Sequence, residues 1–349
     1  MSIDTSEATS DAPAHTPGLH VPATTSSMEK MATGPQEGDA ALLDIRPART
    51  GRKERITSNA DGHDPFEAGL DWPVIAWFGI MHVMALAAPF YFSWQGFALF
   101  FVMQFVTGSI GVCMGYHRLL THGSFQTSKP MRWFFAFMGQ LSGEGTVLQW
   151  IATHRKHHAY SDHDEDPHSP RHGGLWSHLS WMCPQYGRKY FDELISRYAP
   201  DLLKDKGMLF LHKMFLPIHF VTGGLMFGAG YWLGGSYMAM SFLIWGMFVR
   251  LVYVLHITWF VNSATHMWGY RNYTTTDDSR NLWWVGVLAF GEGWHNNHHA
   301  YQRMAMHGHR WWEFDVTYMQ IRVLEKLGLI WNVVHDVPNR KLHGTVDHA

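Results

Sequence analysis

The sequence predicts an all-α integral membrane protein, with four transmembrane helices in two hairpins and a cytoplasmic helical cap that holds a histidine-rich dimetal site. Three observations support this prediction. Hydrophobic residues make up 46% of the 349 residues and charged residues only 16%, against about 25% charged residues in an average soluble domain. The apolar residues form long runs, and many of the 25 histidines form clusters beside those runs.

The first part of the chain, residues 1 to about 66, differs in composition from the rest. It is rich in Ser, Thr, Ala and Pro, shows no apolar periodicity and lacks the apolar core of a signal peptide. Such a segment buries too little apolar surface to offset the entropy of ordering the chain. We therefore expect a disordered N-terminal tail at 1–66 and one membrane domain at 67–349.

Four apolar runs each approach the roughly 20 residues that a helix needs to cross a bilayer. Short links join the first run to the second and the third to the fourth, so each pair is predicted to form a helical hairpin. Arg250 and His256 lie within the fourth run. They are expected to face the protein interior because charged groups are costly in lipid. The predicted spans lie at about 71–92, 94–116, 209–232 and 238–261.

The basic residues set the predicted orientation of the hairpins. The links at 93–95 and 233–237 contain no Lys or Arg, whereas the segments after the second and fourth spans are rich in both. By the positive-inside rule, those basic segments are cytoplasmic. The protein is thus predicted to be multi-pass, with its histidine clusters on the cytoplasmic face. Between the hairpins, Met131 to Ile151 is predicted to form one amphipathic helix at the membrane interface.

Charge and cysteine content exclude other classes of partner and site. The formal net charge of −2 shows no basic excess of the kind that attracts nucleic acid. Cys113 and Cys183 are the only cysteines in the sequence, and two isolated cysteines provide neither a disulfide framework nor a cysteine metal site. The candidate metal-binding residues are therefore the histidines.

Three histidine motifs lie just outside the predicted spans. On a helix, positions i, i+3 and i+4 share one face, so each HxxHH motif is expected to present three ring nitrogens to a common point. In the HxxxxH motif, the two histidines are about 140° apart around a helix. They fit one site only if the chain bends around it, or else they bind different metals. The motifs are His117-Arg-Leu-Leu-Thr-His122, His154-Arg-Lys-His157-His158 and His295-Asn-Asn-His298-His299.

Eight imidazoles exceed the demand of a single metal ion. A structural zinc ion takes four ligands and a catalytic one takes three with a water, so the motifs favour two ions with open coordination positions. Imidazole binds Fe, Cu, Ni and Zn alike. The motifs therefore predict the number of ions but not the element.

These motifs and their surroundings resemble the membrane fatty acyl desaturases, the family of stearoyl-CoA desaturase and of the cyanobacterial and plant acyl-lipid delta-9-type desaturases. The resemblance extends over about residues 70 to 335 and includes stretches beside the three motifs. These stretches are Gly115-Tyr116-His117-Arg118, Asp166-Pro167-His168-Ser169-Pro170, Trp176-Ser177-His178, Val261-Asn262-Ser263-Ala264-Thr265-His266 and Gly291-Glu292-Gly293-Trp294.

The resemblance implies a fatty acyl desaturase, an oxidoreductase of unsaturated fatty acid biosynthesis with a non-haem di-iron centre. Two Fe ions, Fe2+ in the resting reduced state, would serve with O2 as co-substrate. In this family a further histidine joins the metal ligands, and an asparagine approaches one iron through water; here these are His266 and Asn262. The implied metal ligands are His117, His122, His154, His157, His158, His266, His295, His298 and His299.

The resemblance also implies the partners of the reaction. The substrate would be a long-chain acyl-CoA or acyl-lipid, oxidised at a delta-9-type position. Because the tail carries no cysteine motif for an iron-sulfur cluster and no haem domain is visible, the electrons are expected from a separate ferredoxin or cytochrome b5-like donor with its reductase.

Two other functions fit parts of the pattern. A related membrane di-iron hydroxylase of alkyl or sterol substrates also uses histidine motifs, but the spacing of the first motif and the Asn262 to His266 segment favour a desaturase. A membrane metal transporter or metal-binding protein would hold its ligands near the bilayer midplane, unlike motifs at span ends. Histidines outside the motifs are expected to orient the loop or the ligands (His163, His168, His172 and His178) or to lie at the surface or interface (His307 and His309).

Overall fold

The computed structural model describes residues 65–336, which form a mostly helical protein. The predicted tail at 1–66 lies almost entirely outside the described residues, as does the end of the predicted domain at 337–349. The described helices are α1 (Trp72–Ala85), α2 (Trp94–Gln104), α3 (Lys129–Gln140), α4 (Val147–Tyr160), α5 (Gly174–His178), α6 (Gly187–Tyr198), α7 (Pro200–Leu203), α8 (Lys206–Lys213), α9 (Phe215–Leu243), α10 (Arg250–Asn262), α11 (Ala264–Met267), α12 (Trp283–Leu288), α13 (His295–Ala300) and α14 (Val316–Lys326).

Shorter elements connect these helices. Two segments are π-helical, Phe105–Thr121 and Ile244–Val249. Strands β1 (Gln126–Thr127) and β2 (Ile330–Trp331) pair in antiparallel fashion. Three 3₁₀ turns complete the described elements, at Ala88–Tyr91, Pro170–His172 and Ser180–Met182.

The first two apolar helices begin at capping side chains. Asp71 precedes α1, and its carboxylate accepts a hydrogen bond from the Val74 N–H at 3.2 Å, which satisfies one of the unpaired amides at the helix start. Ser93 caps α2 through a 2.9 Å bond from the Gly96 N–H. The chain continues from α2 into the first π-helical segment, so that Trp94–Thr121 is one apolar helix of 28 residues.

The second long apolar segment contains a break that glycine makes possible. Gly235 in α9 has a φ of +70°, in the left-handed region that favours glycine. Residues on the two sides of this break lie in contact: a Cβ added to Gly230 would lie 2.5 Å from the Met238 carbonyl oxygen. The apolar segment then continues through the second π-helical segment into α10 and α11.

Length and composition allow two of these helices to cross a membrane, Trp94–Thr121 and Phe215–Met267, while α1 is apolar but shorter. The predicted span at 209–232 is wrong at its start, since residues 206–213 form the separate helix α8. Asp205 caps α8 through a 2.9 Å bond from the Gly207 N–H. The same carboxylate accepts a 2.8 Å bond from the Trp133 indole, which ties α8 to α3.

Arg250 faces the protein interior, as predicted. Its side chain is buried and donates hydrogen bonds to the carbonyls of Leu141 at 2.5 Å and Gly246 at 3.3 Å. His256 likewise bonds to side chains of α1 and α5. Both residues thus satisfy their polar groups within the protein.

The single amphipathic helix predicted at Met131 to Ile151 is wrong, because the chain forms two helices there. α3 ends at Gln140 and α4 starts after Thr146, whose hydroxyl accepts a bond from the Gln149 N–H at 3.3 Å. Gly143 and Gly145 between them have φ values of +77° and +113°. An α-helix cannot contain these left-handed conformations, so the chain turns.

A buried arginine ties the first π-helical segment to the C-terminal part of the fold. Arg118 is fully buried and donates to Glu292 at 3.0 Å, to Asp315 at 3.0 Å and to the Ala305 carbonyl at 2.6 Å. An unpaired buried charge is strongly destabilising. These three partners therefore fix the end of the first long apolar helix against the segments that carry the third histidine motif.

Candidate metal centre

Five of the motif histidines lie together in one cluster, which we call group A. Their candidate ligand nitrogens are all within 4.8 Å of one another. The Nε2 atom of His298 lies 3.1 Å from that of His117 and 3.0 Å from that of His158. The Nε2 atom of His158 is also 3.1 Å from that of His154. The members of group A are His117, His122, His154, His158 and His298.

The other three motif histidines lie with His266 in a second cluster, group B, whose four side chains are all buried. The members of group B are His157, His266, His295 and His299, and their ligand nitrogens are also within 4.8 Å of one another. The Nε2 atoms of His295 and His266 are 3.0 Å apart, and those of His157 and His299 are 3.4 Å apart. All nine histidines named from the sequence thus lie in these two groups, five in group A and four in group B.

Each HxxHH motif divides between the two groups, so the expectation that all three of its nitrogens meet at a common point is wrong. His154 and His158 lie in group A, while His157 lies in group B. At 100° per residue, positions i and i+4 are about 40° apart, whereas i+3 lies on the other side of position i. In the third motif, His295 and His299 lie in group B, while His298 lies in group A. Groups A and B consequently lie side by side, with the rings of His158 and His299 4.6 Å apart.

His117 and His122 belong to the same group because the helix that carries them is π-helical. The His122 N–H bonds to the His117 carbonyl five residues earlier at 3.1 Å, which is the pairing of a π-helix. Residues five apart therefore lie one above the other, and these two ring centroids are 4.8 Å apart. An α-helix would have needed a bend to bring these two histidines into one group, whereas the π-helical winding brings them together without one.

Buried carboxylates orient four of the histidines. Because a carboxylate accepts hydrogen bonds, the Nδ1 atom facing it carries the hydrogen, and the Nε2 lone pair is left to point into the group. The Nδ1 to carboxylate distances are 2.8 Å for His117 and Glu292, 2.9 Å for His157 and Asp166, 2.8 Å for His266 and Asp162, and 2.8 Å for His299 and Asp277.

The protonation states suit metal binding. Although burial opposes it, the neighbouring His266 holds the pKa of Asp162 at about 2, and His299 similarly keeps the pKa of Asp277 low. These carboxylates are anions. Burial, together with repulsion between neighbouring rings, lowers the pKa of several histidines below the ordinary value, which favours the neutral imidazole that binds metals. These histidines are His122, His154, His158, His295, His298 and His299.

The contacts between Nε2 atoms fit metal ligation better than hydrogen bonding. A ring nitrogen offers one in-plane hydrogen or one lone pair, yet the Nε2 atoms of His158 and His298 each approach two other Nε2 atoms. Nitrogens about 2.1 Å from a metal and at right angles to each other are about 3.0 Å apart. The observed 3.0 and 3.1 Å separations match this spacing. The histidine groups are therefore compatible with a metal site.

The family model described as fatty acid desaturase matches residues 92–315. This stretch contains all nine histidines of groups A and B. The chain belongs to the fatty acid desaturase family.

Curated relatives of this desaturase cover most of its length. The sn-2 palmitoyl-lipid 9-desaturase of Nostoc sp. (strain 36) is 42% identical over 278 residues, which are 79% of this chain and 94% of the relative. The sn-1 stearoyl-lipid 9-desaturase of Synechocystis is 44% identical over 260 residues, 74% of this chain and 78% of the relative. An acyl-CoA 5-desaturase of Anemone leveillei is 41% identical over 257 residues, 73% and 77% of the two chains.

A cavity adjoins both histidine groups of the desaturase. Its volume is about 510 Å³ when the space at its opening to solvent is included. His117 and His154 of group A and His295 of group B form part of its wall, and so does Asn262. The rest of the wall is mainly apolar, and includes Val112, Val254, Ile257, Val261, Leu288 and Phe290.

A half-buried carboxyl, that of Glu144, holds two residues of the cavity wall in place. Glu144 accepts hydrogen bonds from the Trp150 indole at 2.9 Å and the Thr258 hydroxyl at 2.7 Å, and Trp150 and Thr258 both line the cavity. Burial raises the pKa of Glu144 to about 7. Trp150 also stacks on His154, with ring centroids 4.9 Å apart. The position of this indole therefore links the cavity to group A.

Sequence reasoning missed several residues around the metal centre. His307, expected at the surface or interface, is buried; its Nδ1 atom lies 3.0 Å from Glu292, and its ring contacts that of His298 in a tilted arrangement, with centroids 4.5 Å apart. His168 was expected to assist the ligands, and it does stack on His157, at 4.4 Å. The carboxylates Asp162 and Asp166 directly follow the second motif, and this proximity in sequence is the signal that identifies them.

Proposed function

We propose that this protein introduces a double bond into a long-chain fatty acyl group, with O2 as co-substrate and two iron ions as the resident metals. The observation that carries the proposal is the position of two neighbouring histidine groups at the wall of one largely apolar cavity. Membership of the fatty acid desaturase family agrees with it. The overall reaction removes two hydrogens from the acyl chain and, with O2, two electrons and two protons, yields two waters.

The proposed iron ions would supply the oxidising power that the side chains lack. An unactivated methylene has no acidic proton, so acid-base and nucleophilic groups alone do not remove its hydrogens. The protein itself positions the acyl chain beside the metal ions. The apolar wall of the cavity holds an acyl chain, and its exclusion of water keeps the oxidant from side reactions.

The proposed ligand sets follow the two histidine groups. One iron would take its ligands from group A (His117, His122, His154, His158 and His298), and the other from group B (His157, His266, His295 and His299). Asn262 would approach one iron through water, because it lines the same cavity as His154 and His295. The carboxylates at the Nδ1 atoms would hold each ring in its ligating tautomer.

We propose that residues 67–349 form one multi-pass membrane domain with four spans in two hairpins and the metal centre on the cytoplasmic face. Large apolar side chains on these helices are exposed, including Leu86 at 75%, Phe220 at 75% and Trp232 at 84%. Large apolar side chains exposed in such number are unfavourable in water and suit contact with lipid. By the positive-inside rule, the segments rich in Lys and Arg would lie in the cytoplasm. The histidine groups would then lie on the same side of the membrane.

An acyl-lipid is the proposed form of the substrate, with oxidation at a delta-9-type position. Two relatives are named for lipid-bound acyl groups and for position 9, whereas the Anemone relative is named for acyl-CoA and position 5. An acyl-CoA therefore remains the alternative carrier. A separate ferredoxin or cytochrome b5-like protein with its reductase would deliver the electrons.

The decisive experiment is gas chromatography with mass spectrometry of derivatised total fatty acids from cells that express this chain. A strain that expresses the His157→Ala, His158→Ala variant is the matched control. We expect a new monoene in the active strain alone, and its fragmentation gives the position of the double bond.

Other outcomes would lead to other functions. A hydroxylated acyl chain in place of the monoene would indicate the related hydroxylase. No change in lipid composition, despite folded, iron-loaded protein and a supplied electron donor, would contradict the desaturase proposal and direct attention to substrates other than acyl chains. Analysis of purified glycerolipid and acyl-CoA fractions from the same cells distinguishes the two carriers.

A further inference from the structure

Three histidines outside groups A and B form a continuous hydrogen-bonded chain, which we call the histidine trio: His82, His256 and His178. The Nε2 atoms of His82 and His256 are 3.0 Å apart, and the Nδ1 atom of His256 is 3.0 Å from the Nε2 atom of His178. One end of the chain is the Phe78 carbonyl, 2.7 Å from Nδ1 of His82. The other end is the Ser263 hydroxyl, 3.1 Å from Nδ1 of His178.

The histidine trio connects three elements of the fold. His82 lies on α1, His256 on α10 and His178 at the end of α5. α5 also bonds to α10 through the Ser177 hydroxyl, which donates to the Asn262 carbonyl at 3.0 Å. The trio therefore lies where a segment that follows the second histidine motif packs against two apolar helices.

The contacts of the trio differ from those of the two metal groups. In group A, single Nε2 atoms approach two other ring nitrogens, and in group B Nδ1 atoms face carboxylates. In the trio, no ring nitrogen approaches more than one other ring nitrogen, and donors and acceptors can alternate along the chain. Such an arrangement suits hydrogens between the rings and not a metal ion.

Counting hydrogens shows that the trio has room for one proton. A carbonyl only accepts, so the Phe78 carbonyl requires a hydrogen on Nδ1 of His82. The Ser263 hydroxyl donates to the nearer acceptor, the Trp259 carbonyl at 2.7 Å, and Nδ1 of His178 must then carry a hydrogen to bond with Ser263. The four bonds of the chain need four ring hydrogens. Three neutral imidazoles supply three.

We propose that the histidine trio is a binding site for one proton, which is shared over the three rings and fastens α5 to α1 and α10. When the trio is neutral, its four bonds persist only if the Ser263 hydroxyl turns towards His178 and gives up the Trp259 carbonyl. Binding one proton allows Ser263 to make both bonds. The protonated trio thus makes one more hydrogen bond than the neutral trio.

No carboxylate contacts the trio among the described residues. The elements packed around it are α1, α2, α5, α10, α11, α12, the Ile244–Val249 segment and the neighbouring 3₁₀ turns. Arg171 pairs with Asp278 at 2.7 Å and His266 with Asp162 at 2.8 Å. Arg250 donates to a backbone carbonyl. The titratable groups on or beside these elements, other than the trio, are Asp71, Glu144, Arg171, His172, Cys183, His219, Arg250, Tyr253 and His266.

This environment places proton binding on the acid side of neutrality. Burial lowers the pKa of His178 below the ordinary value for histidine, and a hydrogen bond with the Trp259 backbone offsets this only in part; among the described residues, no anion contacts the trio. Once one ring is charged, repulsion within the hydrogen-bonded chain disfavours a second proton. The trio therefore takes up a single proton where three separate histidines would take up three.

Potentiometric titration of the full-length, metal-loaded protein in detergent tests the proposal. The wild type is compared between pH 8 and pH 5 with a variant that carries His82→Gln, His178→Gln and His256→Gln. Glutamine keeps a donor and an acceptor but does not titrate. We expect the wild type to take up about one proton more than the triple variant. A difference of about three would show independent histidines, and no difference would show that the trio binds no proton; either result overturns the proposal.

A matched control calibrates the titration. His212 lies outside the trio and bonds to the Thr146 hydroxyl at 2.7 Å. The His212→Gln variant should lose up to about one proton of uptake on its own. We therefore expect the replacement of all three trio histidines to remove no more proton uptake than the replacement of one ordinary histidine.

Hydrogen exchange gives a second test that does not need the triple variant. Amides of α5 are followed by mass spectrometry at pH 7.5 and pH 5.5, with correction for the intrinsic exchange rates. We expect greater protection at pH 5.5 in the wild type, and no such gain in His256→Gln. Protection of α5 that is independent of pH in the wild type would overturn the proposal. Neither readout depends on desaturase activity, so both are separate from the proposed function.

Discussion

Asp162 accepts a hydrogen bond from the Nδ1 atom of His266 at 2.8 Å, and neither side chain is exposed to solvent. The same carboxylate accepts a bond from the Asp278 N–H at 2.7 Å. Asp162 follows α4, His266 lies on α11 and Asp278 lies between α11 and α12. One carboxylate thus fixes the orientation of a group B histidine and joins three separate segments of the chain.

Replacing this carboxylate should weaken metal binding without removing a ligand. We expect Asp162→Asn to lower the iron affinity by about 10- to 100-fold, the usual effect of losing such an orienting partner. The measurement is the iron to protein ratio during titration with a chelator. Asp164→Asn is the matched control because Asp164 is exposed and two positions away. Equal iron retention in both variants would show that Asp162 does not orient a ligand.

Neighbouring histidines of the second motif should each affect a different ion. His157 belongs to group B and His158 to group A. We therefore expect His157→Ala and His158→Ala each to retain about one iron per chain, and to retain it in different coordination environments. Elemental analysis gives the ratio, and Mössbauer spectroscopy distinguishes the environments. Two ions retained in either variant, or identical spectra from both, would contradict the assignment.

Filling the cavity should block the acyl chain and leave the metal centre intact. Val112 is buried and lines the cavity, whereas Val102 is 57% exposed on the same long apolar helix. We expect Val112→Trp to reduce the monoene by at least about tenfold, because overpacking leaves no room for the chain, with iron content unchanged. Val102→Trp should retain activity. Full activity of Val112→Trp would place the acyl chain elsewhere.

Glu144 should give the protein a pH-dependent stability of predictable sign. Burial raises the pKa of Glu144 from 4.5 to about 7 in the folded protein, so folding favours the protonated carboxyl. Its contribution to stability is fully present below pH 4.5 and is lost as the pH rises through about 7.

Thermal unfolding of Glu144→Gln tests this sign. Between pH 5 and pH 8, the melting temperature of the wild type should fall relative to that of Glu144→Gln by about 3 °C. Glu193→Gln, which changes an exposed glutamate on α6, should follow the wild type. A wild type that gains stability relative to Glu144→Gln over this range would mean that Glu144 is ionised in the folded protein.

The sequence predicted the residues of the centre better than their arrangement. The eight motif histidines follow from spacing, and His266 follows from the family resemblance. Their division into groups A and B depends on the side of α4 and α13 that faces each cluster, which is a property of the packed helices. The closeness of His117 and His122 depends on π-helical winding, and the motif itself does not indicate that winding.

Positions fixed by distant partners were the least predictable. His307 follows the third motif in a polar and aromatic stretch, and only the buried Glu292 and Arg118 bring it against His298. The break between α3 and α4 was missed because sequence composition alone does not show that Gly143 and Gly145 adopt the left-handed conformations that turn the chain. Apolar composition, in contrast, identified most of Trp94–Thr121 and most of Phe215–Met267 directly.

The distribution of group members along the chain has a consequence for biosynthesis. Group A combines His117 with His298, and group B combines His157 with His299. Neither set is complete until the ribosome has reached the third motif, at residues 298 and 299, by which time both long apolar helices have been translated. Loading of the proposed metal ions would therefore be a late event in the life of the chain, and a product that stops before the third motif would have no complete set of histidines with which to bind them.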